Sequence, residues 1–311
     1  MIEAFEDKLR THMAQWVHDH ESGRTKRTPP TESSDSEASP ALEPVPEEAL
    51  EIDDLIKAAK ELDFENRSTE AEMLFAKAVA INDDLGAIFN YGMFLAKRER
   101  LAQANSKFER IVELADDDQD ALWKAPALYA QGDLLEKKGV FDQAEAKYRE
   151  SLNIFERINN VEGIAAVYSK LGDLFRDSGN LEQAETMYPQ SLKIYERLDR
   201  KESLADIYGK LGNVYQAHED LDRAEEMHRH SMEIKEEMGI KEGMADIYLN
   251  LGSLHHARGD ITQSEKMYWQ SLDLFEQSGD KQGASDVLHS IGDLYRERGI
   301  LTKPRNFTDG A

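Results

Sequence analysis

Apolar side chains between residues 161 and 178 return at steps of three and four, the spacing of one helical face. Ala165, Tyr168, Leu171 and Phe175 share that face, which predicts a helix over about 161–178. Gly179 then offers the left-handed backbone that commonly ends a helix. Asn180 with Gln183 three residues later reads as a capping box, and Asp260 with Gln263 repeats it. A second helix, expected over about 181–197, presents Leu181, Ala184, Tyr188 and Ser191. The small Ala and Ser let the two helices approach closely, and the tyrosine fills the gap beside Gly172. Each hairpin hides one face internally and needs neighbours to cover the other.

The hairpin recurs. Gly92, Gly132, Gly172, Gly212, Gly252 and Gly292 stand 40 residues apart. Leu171, Leu211, Leu251 and Ile291 precede four of these glycines. Tyr148, Tyr188, His228 and Tyr268 keep the period, as do Ser151, Ser191, Ser231 and Ser271. Gly139, Gly179, Gly259 and Gly299 mark the turn. Upstream, Ala59, Leu62, Ala71, Phe75 and Ala78 fit a degenerate unit. Tyr208, Leu211-Gly212, Tyr215, Ala224, His228 and Ser231 follow the order and spacing of the tetratricopeptide (TPR) repeat. From about 52 to 298 the chain resembles TPR proteins of the bacterial and Pins-like kind, whose unit is stretched from about 34 residues to 40. The resemblance implies an all-α fold, a right-handed α-solenoid of about six TPR helix pairs and a C-terminal capping helix at about 281–298. It also implies a concave face, lined by the first helices, that binds an extended or helical peptide.

Four domains are expected: residues 1–20, 21–50, 51–299 and 300–311. Ile2, Phe5, Leu9, Met13, Trp16 and Val17 make residues 1–20 an amphipathic helix. Residues 21–50 are rich in Pro, Ser and Glu and read as a disordered acidic linker. Residues 51–299 are the solenoid and 300–311 a tail. Several positions break the repeat. Pro189 falls inside a helix on an outward-facing position, where a kink is expected rather than a break. Pro126 is tolerable if its helix starts late, at Lys124 or Ala125. Glu219 replaces the turn glycine and predicts a strained or differently shaped turn. Pro304 stands where a seventh second helix would need its alanine, so Val287, Leu288, Ile291 and Leu294 are expected to be half covered.

Charge narrows the partners. The chain has 38 Lys and Arg against 62 Asp and Glu, a formal net charge of −24. That balance argues against a nucleic-acid backbone and against docking on anionic lipid. It favours a basic or amphipathic protein or peptide partner, or serves solubility alone. Cysteine is absent, so disulfides and thiolate chemistry are excluded. No 18-residue apolar run predicts a membrane span, and the start of the chain does not read as a secretory signal. The cytoplasm is the expected compartment.

In the register of the Leu-Gly pairs, Lys170, Lys210 and Asn250 form one inward column. Asp173, Asn213, Ser253 and Asp293 form a second, and Asp206, Asp246 and Asp286 a third. The resemblance implies that these columns contact ligand, with Lys170, Asp173, Lys210, Asn213, Asn250 and Ser253 as the expected peptide-binding set. Asn and Lys there can hydrogen-bond a peptide backbone or its carboxylates. Inter-repeat salt bridges are the competing reading for any one of them. Ser169, Gly209 and Leu249 stand where the carboxylate clamp of chaperone-binding members needs Lys, so a C-terminal Glu-Glu-Val-Asp-type ligand is disfavoured. There is no phosphate loop, nucleophile elbow or His-Glu-x-x-His, and neither a cofactor nor a metal is expected. His228 and His255 occupy aromatic columns and are expected to pack near each other, resisting protonation. The leading expectation is a non-enzymatic interaction scaffold, autoinhibited by its N-terminal helix. The alternative is a regulatory subunit or self-assembling structural protein held through its ends, with the N- or C-terminal helix making a homo-oligomer.

Overall fold

A computed structural model describes residues 52–116, 119–241 and 243–297. The expected N-terminal helix at 1–20, the linker at 21–50, Gly299 and the tail at 300–311 with Pro304 lie outside the described residues. Among the described residues there are thirteen helices and no strand: α1 (Ile52–Phe64), α2 (Ser68–Asn82), α3 (Leu85–Lys97), α4 (Leu101–Leu114), α5 (Ala121–Lys137), α6 (Phe141–Arg157), α7 (Val161–Asp177), α8 (Leu181–Arg197), α9 (Lys201–Ala217), α10 (Leu221–Glu237), α11 (Met244–Ala257), α12 (Ile261–Ser278) and α13 (Lys281–Glu297). They are six pairs and a final helix. The chain divides into two compact units between Ile111 and Val112.

In the first unit, Phe75 meets Phe94 with ring centroids 5.1 Å apart and stacks on Tyr91 at 6.2 Å. The Phe108 ring lies on Gly92, where an added Cβ would stand 2.7 Å from it. Buried Asp63 receives Lys97 at 3.4 Å and the guanidinium of Arg98.

The second unit repeats one hairpin four times and ends on α13. In the four hairpins the glycine of the 40-residue column takes a ring from the following helix. An added Cβ would lie 2.6 Å from Tyr148 at Gly132, 2.5 Å from Tyr188 at Gly172, 2.6 Å from His228 at Gly212 and 2.5 Å from Tyr268 at Gly252. Only a residue without Cβ leaves room for the ring. One turn further on, a serine hydroxyl donates to a first-helix carbonyl. Ser151 reaches Ala125 at 2.8 Å, Ser191 reaches Ala165 at 2.8 Å, Ser231 reaches Ala205 at 2.7 Å and Ser271 reaches Ala245 at 2.7 Å. The caps form as expected, with Asn180 and Asp260 accepting from the backbone N–H of Gln183 and Gln263.

The structure decides one open alternative and corrects two details. The turn at Glu219 is strained, not differently shaped. Glu219 takes φ 59°, beside 72°, 82° and 76° at Gly139, Gly179 and Gly259. The closing bond is also the same, Asp220 N–H to the Tyr215 carbonyl at 2.9 Å, against 2.7 Å from Asn180 to Phe175. The strain therefore sits on the Glu219 backbone, where Cβ crowds the carbonyl. Helix α5 starts at Ala121, not at Lys124 or Ala125, so Pro126 lies inside the helix. Val287, Ile291 and Leu294 are buried rather than half covered, and Leu288 alone of the four is exposed. Pro189, exposed as expected, does not interrupt α8.

Ser264 stands where the other pairs have Ala104, Ala144, Ala184 and Ala224, and its buried hydroxyl has no hydrogen-bond partner. Ser264→Ala therefore raises stability by about 1 kcal/mol by removing an unsatisfied polar group. Glu219→Gly raises it by about 1 kcal/mol by relieving the left-handed backbone. Ser191→Ala, which loses a made bond, lowers it by about 1 kcal/mol. Urea unfolding midpoints of the three variants check these signs. A lower midpoint for Ser264→Ala would mean that its hydroxyl does stabilising work in the folded chain.

Candidate functional site

The ring-on-glycine contact aims each tyrosine hydroxyl past the glycine at the residue that follows it. Tyr148 donates to Asp133 at 2.6 Å, Tyr188 to Asp173 at 2.8 Å and Tyr268 to Ser253 at 3.4 Å. The first helix of the next pair then reaches back to the same residue. Lys170 lies 3.1 Å from Asp133 and 3.8 Å from Glu136. Lys210 donates to Asp173 at 2.7 Å and to Ser169 at 3.1 Å. Asn250 donates to Asn213 at 3.0 Å. Each rung joins residues 37 apart, so successive first helices are tied along one face by a ladder that is ionic at Lys170 and Lys210 and neutral at Asn250.

The electrostatics follow the ladder. Burial pushes the Asp173 carboxyl up, but Lys210, Lys170 and Arg176 together hold it below the usual carboxylate range. Burial disfavours the Lys170 ammonium, and Asp133, Glu136 and Asp173 more than offset it, so its pKa rises. Glu136, raised chiefly by burial, is opposed by Lys170. Burial also raises Tyr148 and Tyr188, which stay neutral donors.

All six expected binding residues therefore lie on one face, in two different states. Lys170, Lys210 and Asp173 are engaged between repeats, and Asp173 is only 8% exposed. Asn213 is exposed, while Asn250 and Ser253 are half-buried. Asn213 and Asn250 use one group each on their mutual bond. The Asn213 NH2 and the Asn250 carbonyl can still meet a peptide bond, which needs one acceptor and one donor. In the third column, Asp206 receives Lys235 at 3.2 Å and Asp286 receives Gln282 at 3.0 Å. Asp133 and Glu136 were not among the expected residues; a search for acids 37 residues before each inward lysine would have found Asp133.

The histidines do not converge. His218 faces Glu185 at 3.4 Å, His230 faces Glu233 at 3.7 Å and the Tyr208 ring at 5.1 Å, and His256 faces Glu297 at 2.9 Å. Half-buried His255 acts on Glu225. No ring contact joins it to His228 among the described residues, which corrects the expectation of a packed pair. The two histidines occupy different columns, His228 with Tyr148, Tyr188 and Tyr268 and His255 with Phe175, Tyr215 and Tyr295. Among the described residues no three His, Asp or Glu side chains form a group that could hold a metal ion. No helix of the described residues is long and apolar enough to cross a membrane.

A family model of the MalT-like TPR region matches residues 80–239 and, overlapping them, 118–281. These matches span well over half of the chain. The chain belongs to the MalT-like TPR family. No curated protein matches it in sequence. Solved structures share the fold of this TPR chain at low identity. BtubC (BKLC) from P. vanneervenii is 21% identical with a TM-score of 0.53, over 84% of this chain and 96% of that one. The apo form of RapI is 14% identical with a TM-score of 0.60, over 80% and 99%. A Rap protein complexed with Competence and Sporulation Factor is 12% identical with a TM-score of 0.56, over 81% and 76%.

His228 adds a pH response to this TPR unit. Its side chain is fully buried on Gly212, and neither ring nitrogen has a partner. Asn213, not an acid, follows that glycine. Burial lowers the His228 pKa from 6.5 to about 4. The folded ring stays neutral over that interval, whereas the unfolded chain takes up a proton. Stability is therefore complete above about pH 6.5 and falls as the pH drops toward about 4, by at most about 3 kcal/mol. His228→Phe, which copies Phe108 in the same column, removes this loss. Urea midpoints compared between about pH 7 and about pH 5 should fall further in the parent chain than in the variant.

Proposed function

We propose that the chain is a non-enzymatic scaffold that captures a segment of another protein along the first-helix face, at Asn213, Asn250 and Ser253. The observation that carries this reading is the change of the ladder from ions to amides. Lys170, Lys210 and Asp173 hold neighbouring repeats together, so replacing them acts on stability first. The Asn213–Asn250 rung keeps unused amide groups on an exposed face, and backbone amides are what every peptide offers. Two proteins of the same fold support a protein partner, the Rap protein complexed with Competence and Sporulation Factor and the Cut9–Hcn1 hetero-tetramer. A net charge of −24 favours a basic segment, recruited faster at low salt. The amphipathic stripe of residues 1–20 is the proposed competitor in cis, and deleting residues 1–50 then raises affinity for an added peptide.

Peptides selected on the parent chain from a random display library test the assignment. The Asn213→Ala, Asn250→Ala double variant binds them about tenfold more weakly with an unchanged unfolding midpoint. Lys170→Ala strands Asp133 and Glu136 and lowers stability by roughly 2 kcal/mol. Selected peptides that bind the double variant as tightly as the parent would overturn the reading.

A further inference from the structure

Five glycines of the 40-residue column are buried under a ring from the next helix. The sixth, Gly292 on α13, is not buried, and a Cβ added there meets nothing within 4 Å among the described residues. Among the described residues no helix covers the face that α5, α7, α9 and α11 turn to their partner helix. Ser285 is exposed where Ala125, Ala165, Ala205 and Ala245 are buried. Leu288 is 51% exposed.

The groups that receive Tyr188 recur here in full. Tyr188 lays its ring on Gly172 and donates to Asp173, and Arg176 lies 3.5 Å from the same carboxylate. Gly292, Asp293 and Arg296 repeat Gly172, Asp173 and Arg176 in type and spacing. Arg296 pairs with Asp293 as Arg176 does with Asp173, and His289 stands 3.5 Å from that carboxylate. The Asp293 side chain is 43% exposed, against 11% for Asp173. The Ser285 carbonyl occupies the position that accepts a serine hydroxyl in the four hairpins of this unit.

We propose that this face of α13 is a docking site for a helix of another protein that presents a tyrosine to Gly292 and Asp293. The filled hairpins specify the rest of the ligand: a small residue four positions before the ring and a serine three after it. The hydroxyl rules out residues 1–51 and 298–311 as its source. None of the chain's 11 tyrosines lies in residues 1–51 or 298–311, and Phe5, Trp16 and Phe307 have no hydroxyl to give Asp293. A second copy of α13 would bring Tyr295, whose hydroxyl donates to Glu265 at 2.6 Å. The site requires neither Asn213 nor Asn250, so it stands apart from the proposed peptide face.

A labelled peptide of residues 141–157 is the probe, because it carries Ala144, Tyr148 and Ser151 in the required register. Added to the full chain, it gives saturable fluorescence anisotropy, and its Tyr148→Phe form binds about tenfold more weakly. Gly292→Ala fills the notch without a clash and favours the helix, so it leaves folding intact and abolishes binding. Asp293→Asn weakens the tyrosine peptide and leaves the phenylalanine peptide unchanged. Absence of binding, equal affinity of the two peptides, or binding that survives Gly292→Ala overturns the proposal. Sedimentation that shows a dimer of the parent chain lost on Gly292→Ala also overturns it, in favour of a second copy.

Discussion

An aromatic ring lying on bare backbone sets the geometry of the five hairpins from α3 to α12. Gly172 admits Tyr188 to a distance that a methyl group would forbid, and that approach brings α7 and α8 close enough for Ser191 to reach the Ala165 carbonyl. It also carries the tyrosine hydroxyl across the hairpin to Asp173 on the first helix. Asp173, held there, becomes the anchor for Lys210 of the next repeat. One contact therefore orders three levels: the hairpin, the acid on its inner face and the bond to its neighbour. Because each repeat contacts chiefly its neighbours, the contact must recur for the stack to persist.

Its variations give the face its character. Where the ring is tyrosine and the next residue aspartate, the rung to the following repeat is ionic. Where His228 replaces tyrosine, no hydroxyl is available, Asn213 replaces the acid, and the rung becomes a pair of amides. An aspartate at 213 would have had neither a tyrosine hydroxyl nor a lysine to pair with, since His228 and Asn250 stand in their places. The three substitutions are consistent with one another and together produce a polar, uncharged patch beside a charged ladder. At Gly292 the acid and arginine are retained and the ring is missing, so the same parts are left facing outward.

Much of this was legible in the sequence, and the rest was not for identifiable reasons. The 40-residue period placed α7 and α8 nearly to the residue, because glycine, leucine, tyrosine and serine each answer to a packing constraint with little latitude. The inward columns were also legible. Whether Lys170 faces a ligand or Asp133 was not, because that depends on how far one repeat is turned against the next. Glu219 was read as a disturbed turn because sequence shows the missing glycine but not that the neighbouring hydrogen bonds enforce the left-handed backbone. Pro126 misled because α5 begins at Ala121, a full turn before the proline, with the Asp120 carbonyl accepting from Lys124. His255 was grouped with His228 because both stand in aromatic columns, but those are different columns, and His255 acts on Glu225 instead.

The central claim is that the rings require bare glycine backbone. Its most direct test is the unfolding free energy of Gly172→Ala, measured by urea beside Gly292→Ala. Alanine favours a helix over glycine by about 1 kcal/mol, which is the gain expected at Gly292, where no ring lies. At Gly172 the new Cβ falls 2.5 Å from a fully buried ring. Overpacking there outweighs propensity and lowers stability by about 2 kcal/mol. If Gly172→Ala stabilises the chain as Gly292→Ala does, the ring-on-glycine contact does not set the geometry of the repeat and the account fails.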